Sequence, residues 1–248
     1  MDTAIRFEGV SKQFVARHAG PRSFQELAVG LPRQQERAQV AFWALREIDF
    51  EIAPGETVGF IGPNGSGKST LLKLIARILA PTCGWIEVNG RIGPLLELGA
   101  GFHPDLTGRE NVFLNGSLLG LRQVEVHKQF DAIVAFAELE RFIDMPVRHY
   151  SAGMSLRLGF SIAAHVSPDI LLVDEVLAVG DEAFQRKCLE RMETFRQAGC
   201  TIVFVSHDLR TVERLCARAF WLAEGRIRHT GPAHEVVARY LAAVEEGR

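Results

Sequence analysis

The stretch Thr57–Leu79, TVGFIGPNGSGKSTLLKLIARIL, decides the fold. Its first residues form an uninterrupted apolar run of the kind a strand buried on both faces of a parallel sheet requires. Its last nine, LLKLIARIL, repeat apolar side chains at helical spacing. Between them Gly62-Pro63-Asn64-Gly65-Ser66-Gly67-Lys68-Ser69-Thr70 satisfies GxxxxGK[ST]. The order strand, glycine loop, helix is the one that phosphate binding needs. Glycines let backbone N–H groups turn inward around a phosphate, and the helix N-terminus adds a favourable dipole. Lys68 then supplies a point charge for the β/γ oxygens, and Ser69 a hydroxyl for a magnesium ion. The four constrained positions would match by chance in about 1 % of chains this long, so the stretch is read as a nucleotide site.

Upstream, Ile5 and Phe7, and again Ile48, Phe50 and Ile52, alternate with polar residues before Pro54-Gly55, which predicts two half-buried antiparallel strands. The glycine-, proline-, glutamine- and arginine-containing segment between them, about residues 15–41, is expected to be an inserted loop with one short helix near Phe24–Val29. Downstream, residues 107–165 are mostly helical by periodicity, with helices expected over Val124–Phe142 and Met154–Ala164. After Pro168 the chain alternates: a buried strand at DILLVD, a helix over Glu182–Gln197, a strand at TIVFVS and a helix over Leu209–Ala217. A hairpin turning at Ala223-Glu224-Gly225 and a helix over Ala233–Val244 follow, the two occupying about residues 219–246. This is an α/β pattern with a mixed sheet core, an N-terminal antiparallel β part and an inserted α-helical part. It is expected to form a single domain over residues 1–248, and no fixed-period repeat supports a solenoid.

Composition excludes several classes. The 248 residues carry 28 Lys+Arg against 30 Asp+Glu, a net charge of -2, with 47 % hydrophobic residues. That argues against intrinsic disorder and against a cationic nucleic-acid binder. Cys83, Cys188, Cys200 and Cys216 are too scattered for a disulfide framework or a zinc pair. Histidines 18, 103, 127, 149, 165, 229 and 234 lack metal-ligand spacing. The opening residues lack the basic and then apolar run of a secretion signal, and no apolar run approaches a membrane span.

Ile170–Asp174 is an apolar strand ending in a carboxylate, followed by Glu175. At the C-terminal end of a parallel strand, Asp174 is expected to hold magnesium through water and Glu175 to polarise the attacking water. Tyr150-Ser151-Ala152-Gly153-Met154 resembles the ABC ATPase signature, usually LSGGQ, keeping Ser151 and Gly153. Ala178-Val179-Gly180-Asp181 stands at the D-loop position, and Val205-Ser206-His207-Asp208 resembles the switch-histidine segment. Together with the phosphate loop, these motifs make almost the whole chain resemble one nucleotide-binding subunit of an ABC transporter, with the P-loop ABC ATPase fold.

The resemblance implies ATP and Mg²⁺ as ligands, His207 at the γ-phosphate, Asp181 among the nucleotide-binding residues, and a head-to-tail dimer in which Ser151 and Gly153 of the signature segment face the nucleotide of the second copy. It also implies an aromatic platform for adenine, for which Phe14 in VSKQF and Trp43 after the insertion compete. The Q-loop position falls on Leu98, with Glu97 the nearest side chain able to reach the metal. Phe102 and His103 beside it are expected to lie near a membrane partner. VLAVGD, YSAGM and LLELGAGFHPDLTGRENV, with the insertion ending in Phe42-Trp43-Ala44-Leu45, look like the ATP-binding subunits of O-antigen, capsule and teichoic-acid exporters. The implied activity is ATP hydrolysis driving export of a lipid-linked polysaccharide through an integral membrane permease, from the cytoplasmic face of the inner membrane and without nucleic acid. The chain is expected to be either a short form with no C-terminal carbohydrate-binding domain or a truncation of a longer one. Importers and lipid or drug exporters of the same fold are the alternative. Soluble ABC proteins of ribosomes or DNA usually carry two cassettes or long heptads, and neither occurs in these 248 residues.

Overall fold

The computed structural model describes residues 3–17, 39–95, 99, 101–174 and 181–246. Strands β1 (Ile5–Arg17) and β2 (Gln39–Ile52) pair antiparallel, and β4 (Cys83–Val88) joins the other edge of β1. The central sheet runs β5 (Ile92–Leu95), β6 (Ile170–Asp174), β7 (Thr201–Val205), β3 (Thr57–Ile61), β8 (Arg218–Ala223) and β9 (Arg226–Pro232). Its first five strands are parallel and β9 is antiparallel to β8. β3 and β7 are buried at every position, as strands flanked on both edges and covered on both faces must be.

Helix α1 (Lys68–Ile75) sends Leu71, Leu72, Leu74 and Ile75 into a core shared by the two sheets. At its centre Phe7 stacks on Phe50 at 4.5 Å, Phe50 meets Phe60 at 5.4 Å, and Phe60 stacks on Phe220 at 4.7 Å. This pile crosses from the antiparallel sheet to the central strand that delivers the phosphate loop. The opposite face of the central sheet is covered by α5 (Glu182–Gln197), α6 (Leu209–Leu215) and α7 (Ala233–Glu245) through Phe184, Met192, Val212 and Val236. A third core belongs to α2 (Gly108–Leu118), α3 (Gln123–Ala137) and α4 (Ala152–Ala164), built on Val112, Val126, Ile133, Leu158 and Ile162.

Several elements depart from the sequence expectation. The flanks of the inserted segment are strand: β1 continues to Arg17 and β2 starts at Gln39, in register from Phe14↔Phe42 to Arg17↔Gln39. Paired hydrogen bonds extend a hairpin beyond the point where apolar alternation stops. The short helix expected at Phe24–Val29 lies outside the described residues. α3 stops at Ala137 and not at Phe142, because Glu138 turns left-handed at φ 59°, and its carboxylate bonds Arg157 and Lys187. α6 likewise ends at Leu215. β4 and β5 carry no clear strand signal, since both are edges and β5 includes Gly93 and Pro94, residues a central strand would exclude.

Phe60 has no exposed surface and touches both Phe50 and Phe220. Phe60→Ala is expected to cost about 3–5 kcal/mol of stability, read from urea unfolding; a loss below about 1 kcal/mol would show that the pile between the sheets closes over the gap.

Candidate nucleotide site

The loop between β3 and α1 is shaped by two close approaches of other strands. A Cβ on Gly62, at φ 145°, would stand 1.9 Å from the Leu222 carbonyl oxygen of β8. One on Gly67, at φ 109°, would stand 2.6 Å from the Ala44 oxygen of β2. The backbone is thus pressed into a left-handed course that only glycine tolerates. Gly225 N–H donates to the Ser66 carbonyl at 3.1 Å, so the β8–β9 turn also holds the loop. Lys68 is buried, with Nζ donating to the Gly62 and Pro63 carbonyls at 2.8 and 2.9 Å. α1 begins at Gly67 without a side-chain cap and without an acidic residue in its first turn. Its N–H groups therefore still need an acceptor and its positive end an anion. Ser66 Oγ is buried without a hydrogen-bond partner. Such a cradle of uncapped N–H groups, an ammonium and an unpaired hydroxyl fits a polyphosphate.

Strand register brings the other polar groups to the same edge. Asp174 lies level with Val205, and Val205 with Phe60. Neighbouring strands stand about 4.8 Å apart, so the ends of β6, β7 and β3 form a row at the carboxyl edge, where ligands of open α/β sheets sit. His207 is exposed just past β7, and Ser206 Oγ accepts from Asp208 N–H at 3.0 Å. Asp208 caps α6 by accepting from Arg210 N–H, and the Thr211 hydroxyl holds its carboxyl below the usual carboxylate range.

A groove of about 300 Å³ joins His207 to the phosphate loop residues Asn64, Gly65, Gly67, Lys68, Ser69 and Thr70, and on its other side to Phe14, Phe42 and Trp43. Gly62, Pro63 and Ser66 lie outside that lining. Phe14 and Trp43 reach the same groove. Sequence reasoning missed Phe42, whose ring stacks on Phe14 at 5.6 Å; the signal was the hairpin register, which pairs the two directly. Lys12 Nζ sits 5.4 Å from the Phe14 centroid.

Ser151 caps α4, its Oγ accepting from Met154 N–H at 3.1 Å. Neither Ser151 nor Gly153 lines the groove of the phosphate loop. Among the described residues a Cβ on Gly153 would meet nothing nearer than Ser151 Oγ at 3.8 Å, so packing against them does not require glycine there. Asp181 caps α5 through Phe184 N–H at 2.9 Å and pairs with Arg157 at 2.5 Å. The Phe184 N–H, more than the Arg157 charge, holds its carboxyl below the usual range. Both Asp181 oxygens are therefore engaged within the chain, on α4 and α5. Glu97, Leu98, Glu175 and residues 178–180 lie outside the described residues. Among the described residues no group of three or more His, Cys, Asp or Glu could hold a metal, and no helix is long and apolar enough to cross a membrane.

The model of the ABC transporter family matches residues 45–178. The O-antigen export system ATP-binding protein RfbB of Myxococcus xanthus is 54 % identical over 86 % of this chain, which spans 48 % of that protein. The protein of the same name from Klebsiella pneumoniae is 44 % identical over 98 % of this chain and 100 % of its own length. The dimeric post-hydrolysis structure of the ATP-binding cassette MJ0796, bound to ADP and Pi, has the same fold, with a TM-score of 0.72 at 23 % identity over 92 % of this chain and 98 % of that one.

Gly153→Ala is expected to leave thermal stability unchanged or to raise it by up to about 1 kcal/mol, as alanine favours a helix. A clear drop in melting temperature would mean that the glycine serves packing within the chain.

Proposed function

The chain belongs to the ABC transporter family, and from that premise we propose that it is the ATP-hydrolysing subunit of an exporter of a lipid-linked, O-antigen-like polysaccharide. The single observation that carries the site is the sheet register, which brings the ends of β3, β6 and β7 to one carboxyl edge: Asp174 lies level with Val205 there, and the groove of the phosphate loop reaches His207 just past β7. Gly62, Pro63, Asn64, Gly65, Ser66, Gly67 and Thr70 supply loop backbone to the phosphates. Lys68 leaves the loop carbonyls and pairs with the β/γ oxygens. Phe14, with Phe42 or Trp43 beside it, takes the adenine ring.

Ser69 and Asp174 would hold Mg²⁺, with Glu97 a further candidate; the ion, when bound, neutralises charge building on the transferred phosphoryl group. Glu175 orients and deprotonates the water that attacks the γ-phosphorus in line, and His207 donates to a γ-oxygen. Most of the rate gain comes from positioning and charge neutralisation, because phosphoryl transfer leaves the protein little covalent chemistry.

Ser151 and Gly153 stand outside the groove of their own chain, so a second copy, packed head to tail, brings them to its nucleotide. Gly153 then keeps space for a phosphate, since among the described residues a Cβ there would meet nothing nearer than Ser151 Oγ at 3.8 Å. Asp181 contributes by holding α5 against α4. The membrane permease, the polysaccharide and a peripheral place on the cytoplasmic face of the inner membrane rest on the relatives, whose names tie them to O-antigen export.

Glu175→Gln is expected to keep MgATP binding and nucleotide-dependent dimerisation while lowering turnover by at least about 10²-fold; wild-type turnover would remove Glu175 as the base. Lys68→Ala should weaken MgATP affinity by at least about tenfold in calorimetry, the loss of a charge-assisted hydrogen bond, and unchanged affinity would contradict the phosphate contact. For the transport reading, the ATPase rate of the chain reconstituted with its permease should rise with lipid-linked polysaccharide, and a rate indifferent to that lipid would overturn the substrate class.

A further inference from the structure

The first residue of the YSAGM segment is tied to the rest of the helical part by a bond that its hydroxyl alone can make. Tyr150 Oη donates to the Phe142 carbonyl at 2.8 Å. Burial pushes the phenol up to about 12, so it remains a neutral donor throughout the range in which enzymes work. Residues 142–150 lie against residues 104–109 in an irregular ribbon. Arg148 N–H donates to Pro104 O at 2.9 Å, Val147 N–H to Leu106 O at 2.9 Å, Gly108 N–H to Met145 O at 3.1 Å, and Arg109 N–H to Ile143 O at 2.8 Å. Two ion pairs, Arg148–Asp105 and Arg109–Asp144, both at 2.7 Å, flank it. The Tyr150 hydroxyl ties the end of this segment back to its start just before Ser151, and among the described residues the Ser151 side chain and carbonyl bond only into α4 itself.

Gly108 is cut to that hydroxyl. It is the first residue of α2 and is not among the residues with positive φ, so its backbone accepts any side chain. Space does not: a Cβ there would stand 2.1 Å from Tyr150 Oη, with Ile143 O next at 3.0 Å. A glycine at a helix start that needs none by conformation is a cost, and here it makes room for a phenol oxygen.

We propose that Tyr150 is a positioning residue for the hydrolysis reaction: seated over Gly108 and bonded to the Phe142 carbonyl, it fixes the approach of Ser151 to a second copy's nucleotide. The inference rests on the ATPase reading and adds a residue outside the groove, with no contact to ATP. Because Ser151 is assigned to the phosphate end of the nucleotide, loosening it slows the chemical step more than it weakens binding.

The test uses the full chain with MgATP and four proteins: wild type, Tyr150→Phe, Gly108→Ala and the double variant. Tyr150→Phe keeps the ring and removes one oxygen. It should lower kcat about fivefold to tenfold, the scale of one lost hydrogen bond, with KM for ATP changed by less than about twofold. Gly108→Ala should lower both kcat and Tm, and in the Tyr150→Phe background it should cost clearly less Tm, since only the approach to Ile143 remains. Wild-type kcat in Tyr150→Phe overturns the proposal, as does a Gly108→Ala penalty of equal size in both backgrounds. If the wild type itself turns over no ATP, the ATPase reading fails and takes the positioning role with it; the Tm comparison still reports the Tyr150–Gly108 contact by itself.

Discussion

The phosphate loop can exist only because two unrelated strands press on it from opposite sides. Leu222 of β8 meets Gly62, and Ala44 of β2 meets Gly67, each at a distance that leaves no room for a Cβ. The backbone is squeezed at both positions, and glycine is the residue that meets no steric penalty there. Everything else about the site depends on where β8 and β2 lie. The antiparallel sheet therefore takes part in the site twice, through the Ala44 carbonyl against Gly67 and through Phe14, Phe42 and Trp43 along the groove.

That sheet is located by the aromatic pile. Phe7 and Phe50 belong to it, Phe60 and Phe220 to the central sheet, and Phe50 spans the gap to Phe60 at 5.4 Å and to Phe220 at 5.3 Å. Stacked and edge-on rings in this range contribute beyond the area they bury. Arg218 reinforces the arrangement, bonding both Glu56 oxygens and the Glu51 carbonyl while covering the Phe220 ring. A shift of the antiparallel sheet would move Ala44 off Gly67 and, with it, the Phe14–Phe42 pair away from the groove.

How much of this was legible in the sequence depended on the range of the interactions. Thr57–Leu79 could be read outright, because strand burial, loop glycines and helix periodicity are all local. Asp174 and His207 could be placed at the carboxyl edge from their positions after apolar runs. The partners of Gly62 and Gly67 could not, since Leu222 and Ala44 are remote in sequence and act through backbone oxygens that no side chain announces. Phe42 was hidden for a related reason: it follows an insertion whose length concealed the register that sets it beside Phe14. Asp181 is expected at the nucleotide from its D-loop position, and the structure adds that its two oxygens bond the start of α5 and Arg157 of α4. The N-cap was within reach of sequence reasoning; the ion pair was not.

The near-neutral composition also takes on meaning at this level. Among the described residues many charges are matched in pairs, among them Arg157 with Glu138 and Asp181, Arg218 with Glu56, and Arg109 with Asp144. What is left open is specific: a positive helix end without a side-chain cap at the phosphate loop and, elsewhere on the chain, a glycine at 153 whose Cβ would meet, among the described residues, nothing nearer than Ser151 Oγ at 3.8 Å. The first asks for an anion, and the second asks for something to approach closely from outside. The groove that holds the one does not include the other. Both needs are met without new charge if the same polyphosphate touches the loop of one copy and the Ser151 helix of the next. The chain's stability can then be settled internally while its active site stays incomplete until two copies meet.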